Sequence, residues 1–416
     1  MKLALQRRSL DKKTDVHKAW GDFFIGITFL LLFLLQPFFT LLFCVIFSLF
    51  MRTKNPFHVY MVVFLGSLYL GLVNITKTPE SDLIQYLAAF DDAKIMNLGS
   101  FFILYSREPL YYLAVYVMGS IDFLDGRHFI LASTFIQYFV YLVAVLKLCL
   151  HINLSHRSTV AFIVMLLFFP SLFSISAHLM RQFMASSICI YVVVQMLIFE
   201  KTNILLAFVS FLNHFFVGLF FFLIVSLKIA HSKRISKALV LISSSLTLAL
   251  VGVALYSVSR YLVDTPYVGA IFSRIINPVG FIEFAPFNLS QTVFSLFILG
   301  CSLFNLNSKW SSCKTANFEI IHWATVFFCG IVILSSFISS FSEVTLRFSL
   351  FLYFAVGFVF PYTLFRINRR IDTQPFLIIL MVLVIISFMN KIQFGAWEYA
   401  DIVELLSYSF FGFWAL

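Results

Sequence analysis

Charge is scarce in this sequence. Of its 416 residues, 12% are charged and 61% are hydrophobic. That balance excludes an ordinary soluble domain. No polar stretch is long enough to bury a core, so a separate soluble domain is excluded as well. The six cysteines (Cys44, Cys149, Cys189, Cys301, Cys313, Cys329) show neither CxxC nor metal-ligand spacing. Most sit in or beside apolar runs and read as small hydrophobes. No metal and no cofactor are therefore expected. A cleavable signal peptide is not expected either: the apolar run after the basic N-terminus is too long and lacks a small-residue cleavage site. Inverted repeats, the usual mark of a secondary transporter, are not evident.

Long apolar runs are what the chain has instead. They recur from end to end at the length a helix needs to cross a bilayer. In lipid the backbone must satisfy its own hydrogen bonds, which makes these runs helices. The fold expected is all-α: a polytopic integral membrane helical bundle of about 11–14 membrane segments, short and re-entrant ones included. Residues 1–22 form a basic cytoplasmic N-terminus and 23–416 a single transmembrane domain. Two larger outer loops are expected, about 76–108 and 257–290. The excess of 55 phenylalanines reads as compositional bias, since lipid accepts Phe as readily as Leu. The net charge of +10 suggests nucleic acid at first sight. The basic residues, however, lie in short loops between spans, where the positive-inside rule puts them, so no nucleic-acid partner is expected.

Along the chain, 23–50 is broken at Gln36-Pro37 and flanked by basic residues, which predicts a tight hairpin of two short helices turning at Pro37, with a single span as the alternative. Phe57 to Ile75 crosses outward. Thr78-Pro79-Glu80 has the character of a helix start. Pro109 to Leu124 is expected to enter the membrane without crossing. Phe129–Leu148, Thr159–Ile175 and Phe183–Phe199 read as successive spans. The run 204–227 is interrupted at Asn213-His214 and has basic flanks. It predicts a re-entrant segment with His214 at its tip. Ala238–Tyr256, Gln291–Leu306, Ile320–Phe341, Phe348–Leu364 and Pro375–Met389 complete the spans. The tail from Lys391 is read as outer, or as a last weak span.

In this topology Asp82, Arg107, Glu108, His178, Arg181, His214, Arg260, Arg274 and Arg347 fall on one face. A transport path would spread its charges through the membrane depth. Two readings of an arginine such as Arg181 stand side by side: it snorkels at the interface, or it binds an anion inside the bundle. Arginine's planar fork suits phosphate oxygens. Arg181 and Arg347 are each expected to begin an inward-going helix, whose dipole also favours anions. Asp82, Glu108, His178 and His214 are candidate bases for an acceptor hydroxyl. The bland readings are a first-turn acid for Asp82 and Glu108 and a bonded interior residue for His214. Arg260 and Arg274 are either glycan contacts or members of a solvated loop. Tyr105, Tyr111 and Tyr112 either stack on sugars or belong to an aromatic belt.

The order Asp82-x-x-x-Tyr86, Glu108-Pro109-Leu110-Tyr111, Arg181-Gln182-x-x-Ala185, His214, Arg347 resembles the EpsG and Wzy-type polysaccharide polymerases. The resemblance runs from about Thr78 to Pro361. The chain departs from the pattern at Glu80-Ser81, where Gly-Thr is usual, and at Leu83, where Tyr is usual. The resemblance implies a bacterial inner-membrane glycosyltransferase facing the periplasm. Such an enzyme moves a growing glycan from undecaprenyl diphosphate onto the next lipid-linked repeat unit, building O-antigen or a related polysaccharide. Its partners would be those lipid-linked oligosaccharides and a chain-length regulator. Arg181, Arg347 and His178 would hold the diphosphate. Glu108, then Asp82, would be the base, with His214 assisting. Arg260, Arg274, Tyr86 and Tyr111 would be candidates for glycan contact. A flippase for the same lipid, an O-antigen ligase-like transferase and a membrane acyltransferase are the alternatives. The last should show a His-Asp or His-His pair, and no clear one is present.

Overall fold

The computed structural model describes residues 20–415 except 52–54, 81, 106–107, 233–288, 308–314, 337–341, 370 and 396–397. Among the described residues the regular structure is helix, with no strand. Seven helices are long and apolar enough to cross a membrane: α3 (Pro56–Ile75), α7 (Gly126–His151), α10 (Met180–Phe199), α13 (Leu289–Asn307), α14 (Ala316–Ser336), α15 (Ser342–Asn368) and α16 (Gln374–Phe394). The protein is a multi-pass helical membrane protein, as its apolar runs require. Ala238–Tyr256 lies outside the described residues.

The first apolar stretch folds as its proline predicts. α1 (Trp20–Leu35) and α2 (Pro37–Phe50) are separated by Gln36 alone. Phe29 of α1 meets Phe43 and Phe47 of α2 with ring centroids 5.9 and 6.0 Å apart. One straight helix would hold those positions about 20 Å or more apart at 1.5 Å per residue. Asn55 closes the open end by donating to both Asp22 carboxylate oxygens at 2.9 Å. The stretch is a hairpin.

A second hairpin carries His214. α11 (Ile204–Asn213) and α12 (Phe215–Ser232) meet at His214, whose backbone is extended. Lys228 donates to Thr202 at 3.4 Å, although 26 residues separate them. Both arms therefore return to the same end. Gly218 is needed at the fold-back, because a Cβ there would sit 2.2 Å from the Phe211 ring.

The span expected over Thr159–Ile175 is not straight. α8 (His156–Leu167) and α9 (Pro170–His178) are bent by 49°. Pro170 has no N–H to donate and its ring disfavours helix in the residue before it, so the helix stops and restarts. The tail after Lys391 is not a further span either. α17 (Ile402–Ser407) and α18 (Gly412–Ala415) are too short to cross and instead cap one end of the bundle. Gln36 donates to Ser407 O at 2.7 Å, Phe410 N to Leu34 O at 3.1 Å, and Arg127 to Trp414 O at 2.7 Å.

α7 is the central post. It packs against α3 and α10, and more lightly against α8 and α15. Its N-terminus is held by Asp125, which accepts from the His128 backbone at 3.0 Å and its ring at 2.7 Å. Burial alone would raise the Asp125 carboxyl, but the His128 bonds win and hold it below the usual range. The cap is thus intact at neutral pH and fails only as pH falls through that lowered value. Asp125→Ala is expected to cost about 1 kcal/mol, read as a lower unfolding midpoint in detergent at pH 7.

Candidate functional site

Three short pieces lie between α3 and α7: α4 (Asp82–Ile95), α5 (Leu98–Leu104) and α6 (Pro109–Gly119). α4 begins at Asp82, after Thr78-Pro79-Glu80, so Pro79 belongs to the preceding turn. α6 starts at Pro109 as predicted. Its 11 residues rise about 16 Å, roughly half of a hydrocarbon core. Glu108 is its N-cap residue, but its side chain makes no capping bond. The carboxylate goes elsewhere.

It goes to Arg181. The Arg181 Nη1 lies 2.5 Å from a Glu108 oxygen. Its Nε donates to the Tyr86 hydroxyl at 3.1 Å, across 95 residues of sequence. Its Nη2 stands 3.9 Å from Asp82, beyond hydrogen-bond reach. The guanidinium lies over the Tyr86 and Tyr112 rings, 5.3 and 5.8 Å from their centroids. The other Glu108 oxygen is 3.9 Å from His214 Nε2. Asp82, Tyr86, Glu108, Arg181 and His214 thus form one cluster drawn from α4, α6, α10 and the tip of the α11–α12 hairpin. The Arg181 and Glu108 side chains are only 14% and 16% exposed. A snorkelling arginine would reach out to water; this one is enclosed. Burial pushes the Tyr86 hydroxyl well above the usual phenol range, against a downward pull from Arg181, so it meets the cation as a neutral acceptor.

The cluster is held from below. Leu179 alone separates α9 from α10, and Arg181 is in the first turn of α10. Gln137 of α7 donates to Met180 O at 3.1 Å, and the Tyr111 hydroxyl meets Met180 Sδ at 3.6 Å. Deeper, Asn74 donates to Thr134 at 3.0 Å and Ser176 at 2.9 Å, joining α3, α7 and α9. Ser210 donates to Ala185 O at 2.7 Å, so α11 runs alongside α10 and brings His214 level with Arg181. Such a shell fixes the side chains it supports.

The remaining candidates fall elsewhere. His178 does not join the ion pairs of Arg181; both its ring nitrogens lie 2.8 Å from Lys77 Nζ. Lys77 is 3% exposed, and burial lowers its ammonium to about 8, Glu80 opposing weakly. Arg347 does not begin its helix. α15 starts at Ser342, which puts Arg347 beyond the first turn, where the dipole effect has faded. The Arg347 side chain lies outside the described residues, as do Arg107, Arg260 and Arg274. α15 also runs through Pro361 to Asn368. Tyr111 is buried, its ring 5.5 Å from that of Tyr86, so its role here is packing behind the cluster.

Gln137 and Lys77 were not singled out from the sequence, and Tyr112 was read there as a sugar-stacking or belt residue, not as a neighbour of Arg181. Tyr112 follows Glu108 by one helical turn, a spacing that could have flagged it. Among the described residues no group of three or more His, Cys, Asp or Glu is placed to hold a metal. No family model, no curated protein and no solved structure matches this chain.

Proposed function

We propose that this protein is a membrane glycosyltransferase that polymerises lipid-diphosphate-linked oligosaccharides at the outer face of a bacterial inner membrane. The observation that carries the reading is the enclosed Arg181–Glu108 pair, with Tyr86, Asp82 and His214 around it. The pair joins an anion-binding group to a base within one ion-pair distance. The residues that meet there are those on which the likeness to Wzy-type polymerases rests.

The chemistry follows from that pairing. Without substrate, Glu108 occupies Arg181 and its basicity is masked. A diphosphate presents more charge and more oxygens than one carboxylate, and it would compete for the guanidinium. Displaced, Glu108 becomes a base beside the leaving group. The acceptor hydroxyl attacks the anomeric carbon, a new carbon–oxygen bond forms and the bond to the diphosphate oxygen breaks. The hydroxyl proton passes to Glu108, and the lipid diphosphate leaves as an anion stabilised by Arg181. His214, 3.9 Å from the other Glu108 oxygen, is too far to hydrogen-bond it directly and would assist only after a small approach when substrate displaces the carboxylate. The sugar–diphosphate bond supplies the driving force.

The test is the surface polysaccharide of a strain lacking this protein, complemented with wild type or Arg181→Ala at matched levels. Without the protein, the gel ladder is expected to collapse to a single repeat unit on its lipid. Wild type should restore the ladder and Arg181→Ala should not. Loss of every repeat-bearing band would instead identify a flippase or a ligase and refute the polymerase.

A further inference from the structure

A second feature lies behind α4. A cavity of about 810 Å³ is bounded by the end of α3, the start of α7, the end of α16 and the segment 398–404. Its volume is in the range of about 300–1,000 Å³ typical of ligand sites. We propose that it binds the saccharide portion of the lipid-linked substrate, a proposal that rests on the glycosyltransferase reading above.

The lining argues for a ligand rich in hydroxyls. Asp91, Asp125, Glu398 and Glu404 supply acceptors; Lys77 and Arg127 supply donors. A hydroxyl both donates and accepts, so it can be satisfied on every side of such a wall. A phosphate would face four carboxylates and be repelled. An apolar chain would strip water from all of these groups without replacing their hydrogen bonds. The wall is also fixed in place. Thr78 N donates to Glu398 O at 3.0 Å, and Ala400 N to Thr76 Oγ1 at 3.3 Å, tying segment 398–400 to the end of α3.

The position argues for the same substrate. Asp82 and Tyr86 are one turn apart on α4 and face Arg181. Leu87 and Asp91 are one turn apart on the same helix and line the cavity. The two pairs are five residues apart along the helix, an offset of about 140° around the axis. One helix, α4, therefore stands between the two, with one side toward the ion-pair cluster and the other toward the cavity. Lys77 joins them a second time: it lines the cavity and holds His178, just ahead of Arg181 in the chain. A lipid-linked oligosaccharide of several rings fits this arrangement, with its diphosphate at Arg181 and its distal, uncharged rings reaching around α4 to the cavity.

The experiment has two arms on the full-length protein in detergent. The probe for the first is a single-repeat oligosaccharide released by mild acid from the host's own surface polysaccharide, free of lipid and diphosphate. Saturation-transfer NMR should show wild type binding it. Leu87→Trp, which fills the cavity, and Glu398→Gln, which keeps the shape and removes a charge-assisted acceptor, should each weaken binding about tenfold. Unchanged affinity in a Glu398→Gln or Leu87→Trp protein of wild-type thermal stability, or no binding by wild type, overturns the proposal. Glu398 is on the surface, so that variant remains informative should the tryptophan variant fail to fold. In the second arm, turnover of lipid-linked repeat units should show a raised KM with little change in kcat. A KM rise for the acceptor assigns the cavity to the incoming repeat, and a rise for the donor assigns it to the growing chain. Sugar binding that depends on these residues, in a protein whose loss leaves the polysaccharide ladder intact, would keep the cavity and remove the polymerase reading. The reverse pattern would remove the cavity alone.

Discussion

Arg181→Lys is expected to lower polymerisation by at least about 100-fold, the loss typical when a preorganised donor to a developing anion is removed. Lysine keeps the charge, so a site that needed only a cation would tolerate it. The geometry says otherwise. Arg181 reaches Tyr86 with Nε and Glu108 with Nη1, which point in different directions, and its Nη2 stands 3.9 Å from Asp82. A lysine has one nitrogen at the end of its chain and cannot serve these directions together. Its compact ammonium would also replace the broad guanidinium that lies over the Tyr86 and Tyr112 rings. The measurement is turnover of purified enzyme with lipid-linked repeat units, alongside the ladder in cells. Activity within about threefold of wild type in Arg181→Lys would remove Arg181 from diphosphate binding.

Glu108→Gln is the second large effect. Loss of a general base costs about 10²–10⁴-fold in rate. Glutamine preserves the shape and can still accept from Arg181, so the protein should accumulate normally. The loss should fall on kcat, and the acid limb of the pH–rate profile should disappear with the carboxylate. Asp82→Asn should cost less, because Asp82 stands off from Arg181 at 3.9 Å while Glu108 is in contact. If Asp82→Asn proves the more damaging in kcat, the base is Asp82 and Glu108 serves to position the arginine. Glu108→Ala is a poorer probe. Removing one partner of a buried pair costs about 3–5 kcal/mol, because the other charge is stranded. The double variant Arg181→Met, Glu108→Met should therefore be more stable than Glu108→Ala, and inactive.

The Arg181 cluster also shows how a membrane bundle joins short polar pieces. Each contributes from a helix end: Asp82 and Glu108 from the starts of α4 and α6, Arg181 from the start of α10, His214 from a hairpin tip. Helix ends carry unsatisfied backbone groups and cannot face lipid. They gather where other polar groups can meet them, and a site is built there at little extra cost.

Much of this was legible in the chain itself. A bilayer fixes how long an apolar run must be, so the spans can be counted off one by one. The breaks at Gln36-Pro37 and His214 were visible because a proline or a polar pair inside an apolar run has a local cost that must be relieved locally. Polar residues are so rare here that Asp82, Glu108, Arg181 and His214 stood out against 61% hydrophobic residues. Other features were decided only by packing. The bend at Pro170 is not one of them: a proline inside an apolar run marked it locally, although the run is long enough to span unbroken. The described part of α15 begins at Ser342, which takes Arg347 out of the first turn. That His178 turns to Lys77, while Tyr86 turns to Arg181, depends on contacts across 101 and 95 residues. Such pairings are set by which helices α7 holds side by side. The hydrophobic pattern states that a helix lies in the membrane, but carries no term for its neighbour.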